Sequence, residues 1–226
     1  MRTILFFFLL FPLLSLACRH EAVVKPPVRY LALGDSYTIG HGVPETDRFP
    51  LQLAERLRAD GWGAGDPRIV ATTGWTTGSL LNALKNDALE HDYDLVSMLI
   101  GVNNQYQGRP LAEYELEFNQ LLDSAVVYAG GDPAKVFVLS IPDYAYTPYG
   151  QSRPNPGQIS GQIDIFNAKN KALTEARGIR YFDITPLSRQ GLEEPSLVAS
   201  DGLHPSGEMY RRWIDLFYAA VIQMLG

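Results

Sequence analysis

The amino-acid sequence predicts an α/β domain: a parallel sheet of about five strands covered by helices on both faces. Three observations carry this. Short, continuous apolar runs rich in Val, Ile and Leu recur along the chain, and runs that are continuous rather than alternating suit strands buried on both faces. Longer segments of helical periodicity separate them, and strands that alternate with helices join by right-handed crossovers into a parallel sheet. The length, 226 residues of which 46% are hydrophobic, suits one core of about this many units.

The elements follow in order. Val28–Leu33 is the first predicted strand and Leu51–Arg58 the first helix, then Arg68–Thr72 as strand and Ser79–Ala88 as helix. Leu95–Ile100 is the third strand. After it Leu111, Tyr114, Phe118, Leu121, Leu122, Ala125 and Val126 fall on one helix face. Val136–Ile141 and Ile179–Phe182 are the last two strands, separated by a helix over Ile159–Ala176. Met209, Trp213, Leu216, Phe217, Ala220, Val221 and Met224 form the face of a closing helix that leaves Arg211, Arg212 and Asp215 outside. No internal repeat interrupts this pattern.

The composition excludes several classes. Nineteen basic against 25 acidic side chains give a net charge of −6, unsuited to nucleic acid, which rewards clustered Lys and Arg. The apolar content excludes a disordered chain, and 20 Gly with 15 Pro, unrepeated, exclude a collagen-like one.

The N-terminus is a separate unit. Arg2 precedes the apolar run Ile4–Leu14, then Ser15-Leu16-Ala17-Cys18. A positive start, a short apolar stretch and small residues at a cut site describe a secretory signal over 1–17. Leu14-Ser15-Leu16-Ala17-Cys18 resembles a bacterial lipobox, with Ser15 where Leu is usual. That resemblance implies a lipid anchor on Cys18, the only cysteine of the chain. Plain secretion is the alternative. Residues 18–27 then read as anchor and tether, and 28–226 as the domain, exported to the cell envelope.

In an open parallel sheet, chemistry collects where strands end. The first predicted strand runs out through Leu33-Gly34-Asp35-Ser36-Tyr37-Thr38. A serine entered through glycine can be held on a tight turn with its hydroxyl facing a cleft, although no G-x-S-x-G pattern is present. Such a serine needs a base, and the base needs an orienting group. Asp201-Gly202-Leu203-His204-Pro205 supplies both, because at that spacing Asp201 can reach His204 Nδ1 while Nε2 faces Ser36. Of the other histidines, His20 lies in the tether and His91 in a polar stretch, and His41 has no carboxylate at the same spacing. Donors for a developing oxyanion could come from Gly74, after the second strand, and Asn103, after the third.

Gly34-Asp35-Ser36, Gly74, Gly101-x-Asn103 and Asp201-x-x-His204 resemble, in order, the four blocks of the SGNH, or GDSL, hydrolase family. The resemblance runs from about Tyr30 to the end of the chain. It implies a flavodoxin-like three-layer α/β/α sandwich with strand order 2-1-3-4-5. It also implies Ser36 as nucleophile, His204 as base, Asp201 as its orienter, and an oxyanion hole made by Ser36, Gly74 and Asn103. Tyr37 stands where the GDSL name has Leu, and Asn104 where the third block has Asp.

Rival chemistries fit less well. Asp35 reads as a brace for the turn, and a glycosidase built on Asp35 and Asp201 would leave Ser36 and Asn103 without a role. The sequence has no metal-binding H-x-H or H-E-x-x-H spacing, and the reading calls for no cofactor. Substrate contacts are expected from Asn104 and from Tyr144 and Tyr146, on a Pro-stiffened loop that also carries Tyr149; the same tyrosines could equally cover the sheet. Gln105-Tyr106 extends the Asn103 loop toward the same place. The expected substrates are small-molecule or glycan esters with short acyl groups, such as acetylated carbohydrates. A lysophospholipase or longer-chain lipase is the alternative, and a non-catalytic glycan-binding envelope protein the more distant one. The oligomeric state is left open.

Overall fold

The computed structural model describes residues 25–226; the leader, Cys18 and most of the tether lie outside the described residues. Five strands form one parallel sheet: β1 (Tyr30–Gly34), β2 (Arg68–Ala71), β3 (Leu95–Leu99), β4 (Val136–Leu139) and β5 (Arg180–Phe182). Their spatial order is β2-β1-β3-β4-β5, the order expected. Every residue of β1, β3 and β4 is buried, which is why those runs are continuously apolar. Edge strands β2 and β5 each begin on an exposed arginine, Arg68 and Arg180.

The first apolar run is longer than its strand. At Arg29 the backbone N–H turns to Asp94 Oδ2, at 2.8 Å. Pro27–Val28 pairs instead with Gly63–Ala64 in a two-residue parallel ladder, while the Lys25 ammonium lies over the Trp62 ring. The described end of the predicted tether is therefore docked on the domain.

Five long helices cover the sheet: α2 (Phe49–Ala59), α3 (Thr77–Asn86), α5 (Leu111–Tyr128), α7 (Pro156–Glu175) and α9 (Gly207–Leu225). Their starts follow local chemistry. Pro50 and Pro156 occupy first-turn positions, where a missing N–H costs nothing, and Thr76 and Ser206 cap α3 and α9 through their hydroxyls. From β1 the chain steps to β2 on one side, and from β3 to β4 on the other. Right-handed crossovers in opposite directions place their helices on opposite faces. Accordingly α2 packs on α9, and α5 lies between α3 and α7. Phe49, Tyr210 and Trp213, all buried, join α2 to α9, and each such aromatic contributes on the order of 2–3 kcal/mol by burial. Leu216, expected on the inner face of α9, is exposed, because it lies at the margin of a face that Trp213 and Phe217 already fill.

Four short helices, α1 (Ser36–Ile39), α4 (Val102–Tyr106), α6 (Pro148–Gln151) and α8 (Thr185–Ser188), were not expected from periodicity. Two of them, α1 and α4, start directly after β1 and β3. Those strands are neighbours whose connections leave in opposite directions, so their ends flank the crevice where open α/β sheets bind ligands. Among the described residues no helix is long and apolar enough to cross a membrane.

Candidate active site

The turn after β1 is closely packed. A Cβ on Gly34 would lie 2.1 Å from Thr38 Oγ1 and 2.3 Å from the Leu99 carbonyl oxygen, so only glycine lets α1 start against β3. Asp35 caps α1, its Oδ1 accepting the Tyr37 N–H at 3.0 Å. Ser36 is therefore the first residue of a helix, and it is buried to 4% exposure. Gly40, at φ +71°, closes α1 after one turn.

Asp35 itself is fully buried, and its Oδ2 has no hydrogen-bond partner among the described residues. Burial pushes its pKa up to about 7, although the Tyr37 and Gly101 N–H groups favour the charged form.

The candidate base, His204, and its partner are held by the loop before α9. Gly202, at φ +73°, lets the chain turn so that its N–H reaches the Ala199 carbonyl. Asp201 Oδ1 accepts the Leu203 and His204 backbone N–H groups at 2.9 and 3.0 Å. Its Oδ2 accepts from His204 Nδ1 at 2.6 Å. One carboxylate thus fixes both the turn and the ring. Burial alone would raise the Asp201 pKa, but these hydrogen bonds outweigh it and hold the group below the usual carboxylate range. Burial lowers the His204 pKa below its ordinary value, against the opposing pull of Asp201. A ring with that shift is neutral at pH 7, the form a general base requires. Tyr37 backs His204 edge-on, with ring centroids 5.8 Å apart.

Ser36, Gly74, Asn103, Tyr144 and His204 meet in one cavity of about 220 Å³, although they come from five separate segments. Gly74 has φ +87°, which favours glycine there whatever the space. Asn103 donates one amide hydrogen to the Trp75 carbonyl at 2.9 Å, leaving the other free.

Two expected substrate contacts lie elsewhere. Asn104 is fully buried and spends its amide on Thr77, accepting the backbone N–H at 3.0 Å and donating to Oγ1 at 2.7 Å. It ties α4 to α3, because one step along a helix from Asn103 points the side chain inward. Tyr146 does not line the cavity and lies instead beside the Arg189 guanidinium. Tyr106 and Tyr149 line it, their hydroxyls 2.7 Å apart.

Tyr37, Thr73, Val102 and Leu203 complete the wall and were missed from sequence. Each is the immediate neighbour of a motif residue, so the signal was position rather than residue type. His41, set aside for want of a carboxylate in sequence, has its ring centroid 4.6 Å from that of His204.

The model of the GDSL-like lipase/acylhydrolase family matches residues 32–212. An uncharacterised protein of Bacillus subtilis strain 168, YpmR, is 24% identical, the match covering 89% of this chain and 84% of that protein. Among solved structures, TesA superposes with a TM-score of 0.67 at 19% identity, covering 87% of this chain and 99% of that one. Axe2, an acetylxylan esterase from Geobacillus stearothermophilus, superposes with a TM-score of 0.62 at 18% identity, covering 90% and 96%. At such identities the structures show a shared fold.

Proposed function

The chain belongs to the GDSL-like lipase/acylhydrolase family, and from that premise we propose that it is a serine esterase working through an acyl-enzyme on Ser36. Ser36 Oγ attacks the ester carbonyl carbon while His204 takes the hydroxyl proton. Asp201 holds the imidazole in the required tautomer and stabilises the imidazolium. The tetrahedral oxyanion rests against the N–H groups of Ser36 and Gly74 and the free amide hydrogen of Asn103. His204 returns its proton to the leaving alcohol as the carbon–oxygen bond breaks. Water, deprotonated by His204, then releases the acid and restores Ser36. The observation that carries this reading is the shared cavity of Ser36 and His204, with His204 Nδ1 committed to Asp201 at 2.6 Å.

For the substrate we propose short acyl esters of hydroxyl-rich alcohols, such as acetylated carbohydrates. The cavity of about 220 Å³ is below the range of roughly 300–1,000 Å³ common for larger ligands. Across Tyr106 and Tyr144 lies a second depression of about 330 Å³, lined by Gln105, Arg153, Asn155, Gln158 and Gln162. Its amides suit sugar hydroxyls, while the smaller cavity takes the acyl group. Rates on p-nitrophenyl esters should fall about tenfold or more once the acyl chain outgrows the cavity near four carbons. A rate that rises with chain length would favour the lysophospholipase alternative instead.

The leader supports export, and Cys18 a lipid anchor at the cell envelope. Cells fed labelled palmitate should label the wild-type protein and leave Cys18→Ala unlabelled. Equal labelling of both would contradict the anchor.

A further inference from the structure

We infer that His41, Asp201 and His204 form a binding site for a zinc-class divalent ion, and that filling it reversibly switches the esterase off. The three residues come from two segments, the turn after α1 and the loop before α9. Yet donor atoms, one from each, lie within 4.8 Å of one another. Two imidazoles and a carboxylate are ligand types that zinc takes, with a fourth position left for water. Calcium and magnesium prefer oxygen donors and larger or octahedral shells, so this set selects against them.

The site needs little rearrangement. A tetrahedral zinc ion holds its donors roughly 3.3 Å apart. His41, whose side chain is exposed, must approach, and Asp201 Oδ2 and His204 Nδ1, now 2.6 Å apart, must part by less than about 1 Å. The His41 backbone is already fixed: its N–H bonds the Ser36 carbonyl at 3.0 Å. A Cβ on the next residue, Gly42, would lie 3.0 Å from Asp201 Oδ2, so this turn is seated directly against the carboxylate. Thr73 Oγ1 meets His41 Nδ1 at 3.1 Å. An outer partner on one ring nitrogen is how ligating histidines are usually oriented, leaving the other nitrogen for the metal.

Inhibition follows from which electron pairs the ion occupies. Catalysis uses the lone pair of neutral His204 to accept the Ser36 proton and the Asp201 carboxylate to steady the ring. An ion between Asp201 and His204 binds the ring at Nδ1, the nitrogen that faces Asp201. The Nδ1 proton moves through solvent to Nε2, which then has no lone pair to accept the Ser36 proton, and no bond to Ser36 is made or broken. Removing the ion restores the site. The binding half stands on geometry alone; the inhibitory half rests on the proposed roles of Ser36, His204 and Asp201.

The experiment has two arms. Calorimetric titration of zinc chloride into full-length Ser36→Ala protein should show one bound ion, and His41→Asn or His41→Gln in the same background should weaken binding about tenfold or more. In enzyme with Ser36 intact, zinc should inhibit p-nitrophenyl acetate hydrolysis, a chelator should restore it, and magnesium and calcium should not inhibit. His41→Asn and His41→Gln should keep basal turnover and shift the zinc midpoint by about the same factor. Absence of binding, or equal zinc sensitivity with and without His41, would overturn the inference. Turnover persisting in Ser36→Ala would overturn the esterase mechanism and leave the calorimetric result standing.

Discussion

Asp35 caps α1 beside Ser36 and Asp201 lies in the loop before α9 against His204, and the environments of these two carboxylates are opposed. Asp35 is wholly buried, takes the Tyr37 N–H on one oxygen, and has no partner for the other. Its pKa is pushed up to about 7 by burial. Asp201 is partly exposed and accepts from the Leu203 and His204 N–H groups and the His204 ring, and its pKa is lowered. A carboxylate can steady a developing imidazolium only if it is ionised and hydrogen-bonded to the ring. Asp201 meets both conditions, while Asp35, without contact to the ring, serves the turn. Environment rather than residue type separates their roles.

Exchanging each carboxylate for its amide tests that separation, with the largest effect first. In the proposed mechanism Asp201 supplies the charge that stabilises the imidazolium and fixes the tautomer, so in Asp201→Asn kcat should fall about a thousandfold or more. Asp35→Asn keeps an oxygen for the Tyr37 N–H and should cost less than about tenfold, a loss of fine positioning rather than chemistry. Equal losses in the two variants would break the distinction.

The next effect is on stability. A carboxylate whose folded pKa is raised binds its proton more tightly in the native state, so stability falls as pH rises from its unfolded value through the folded one. With a folded value of about 7 against an ordinary 3.8, Asp35→Asn should gain about 2–3 kcal/mol relative to wild type between pH 5 and pH 8. Asp201 has the opposite sign: its pKa is lowered, so its contribution is present at neutral pH and is lost as pH falls through the folded value. Denaturant unfolding of wild type and Asp35→Asn at the two pH values measures the first effect. A pH-independent difference would show that Asp35 is not an unpaired buried acid.

How much of this the sequence disclosed depends on the range of each interaction. The strands and the segments holding Ser36, Gly74, Asn103 and Asp201–His204 were legible, because buried strands leave continuous apolar runs and chemistry follows their ends; the order of the strands came only from the resemblance to the hydrolase family. The Asp201–His204 hydrogen bond was legible because it is local. Asn104 was misplaced because its direction depends on the turn of α4, a helix of five residues and too short for periodicity to reveal. Tyr146 was misplaced because the loop folds into a single tight 3-10 turn over Tyr144–Tyr146, which sends Tyr144 inward and Tyr146 toward Arg189. His41 was read by its sequence neighbours, whereas its partner carboxylate and imidazole arrive from the far end of the chain. Asp35 was correctly read as a brace, but its unpaired burial depends on the packing of β3 and α5 around it.

In the proposed reaction Ser36 carries the acyl group. Reaction with a fluorophosphonate probe, followed by mass spectrometry of the labelled peptide, tests it most directly. One adduct is expected, on Ser36, with Ser36→Ala unlabelled and inactive on p-nitrophenyl acetate while its far-UV circular dichroism matches wild type. An adduct on another residue, or turnover retained by a folded Ser36→Ala protein, would contradict it.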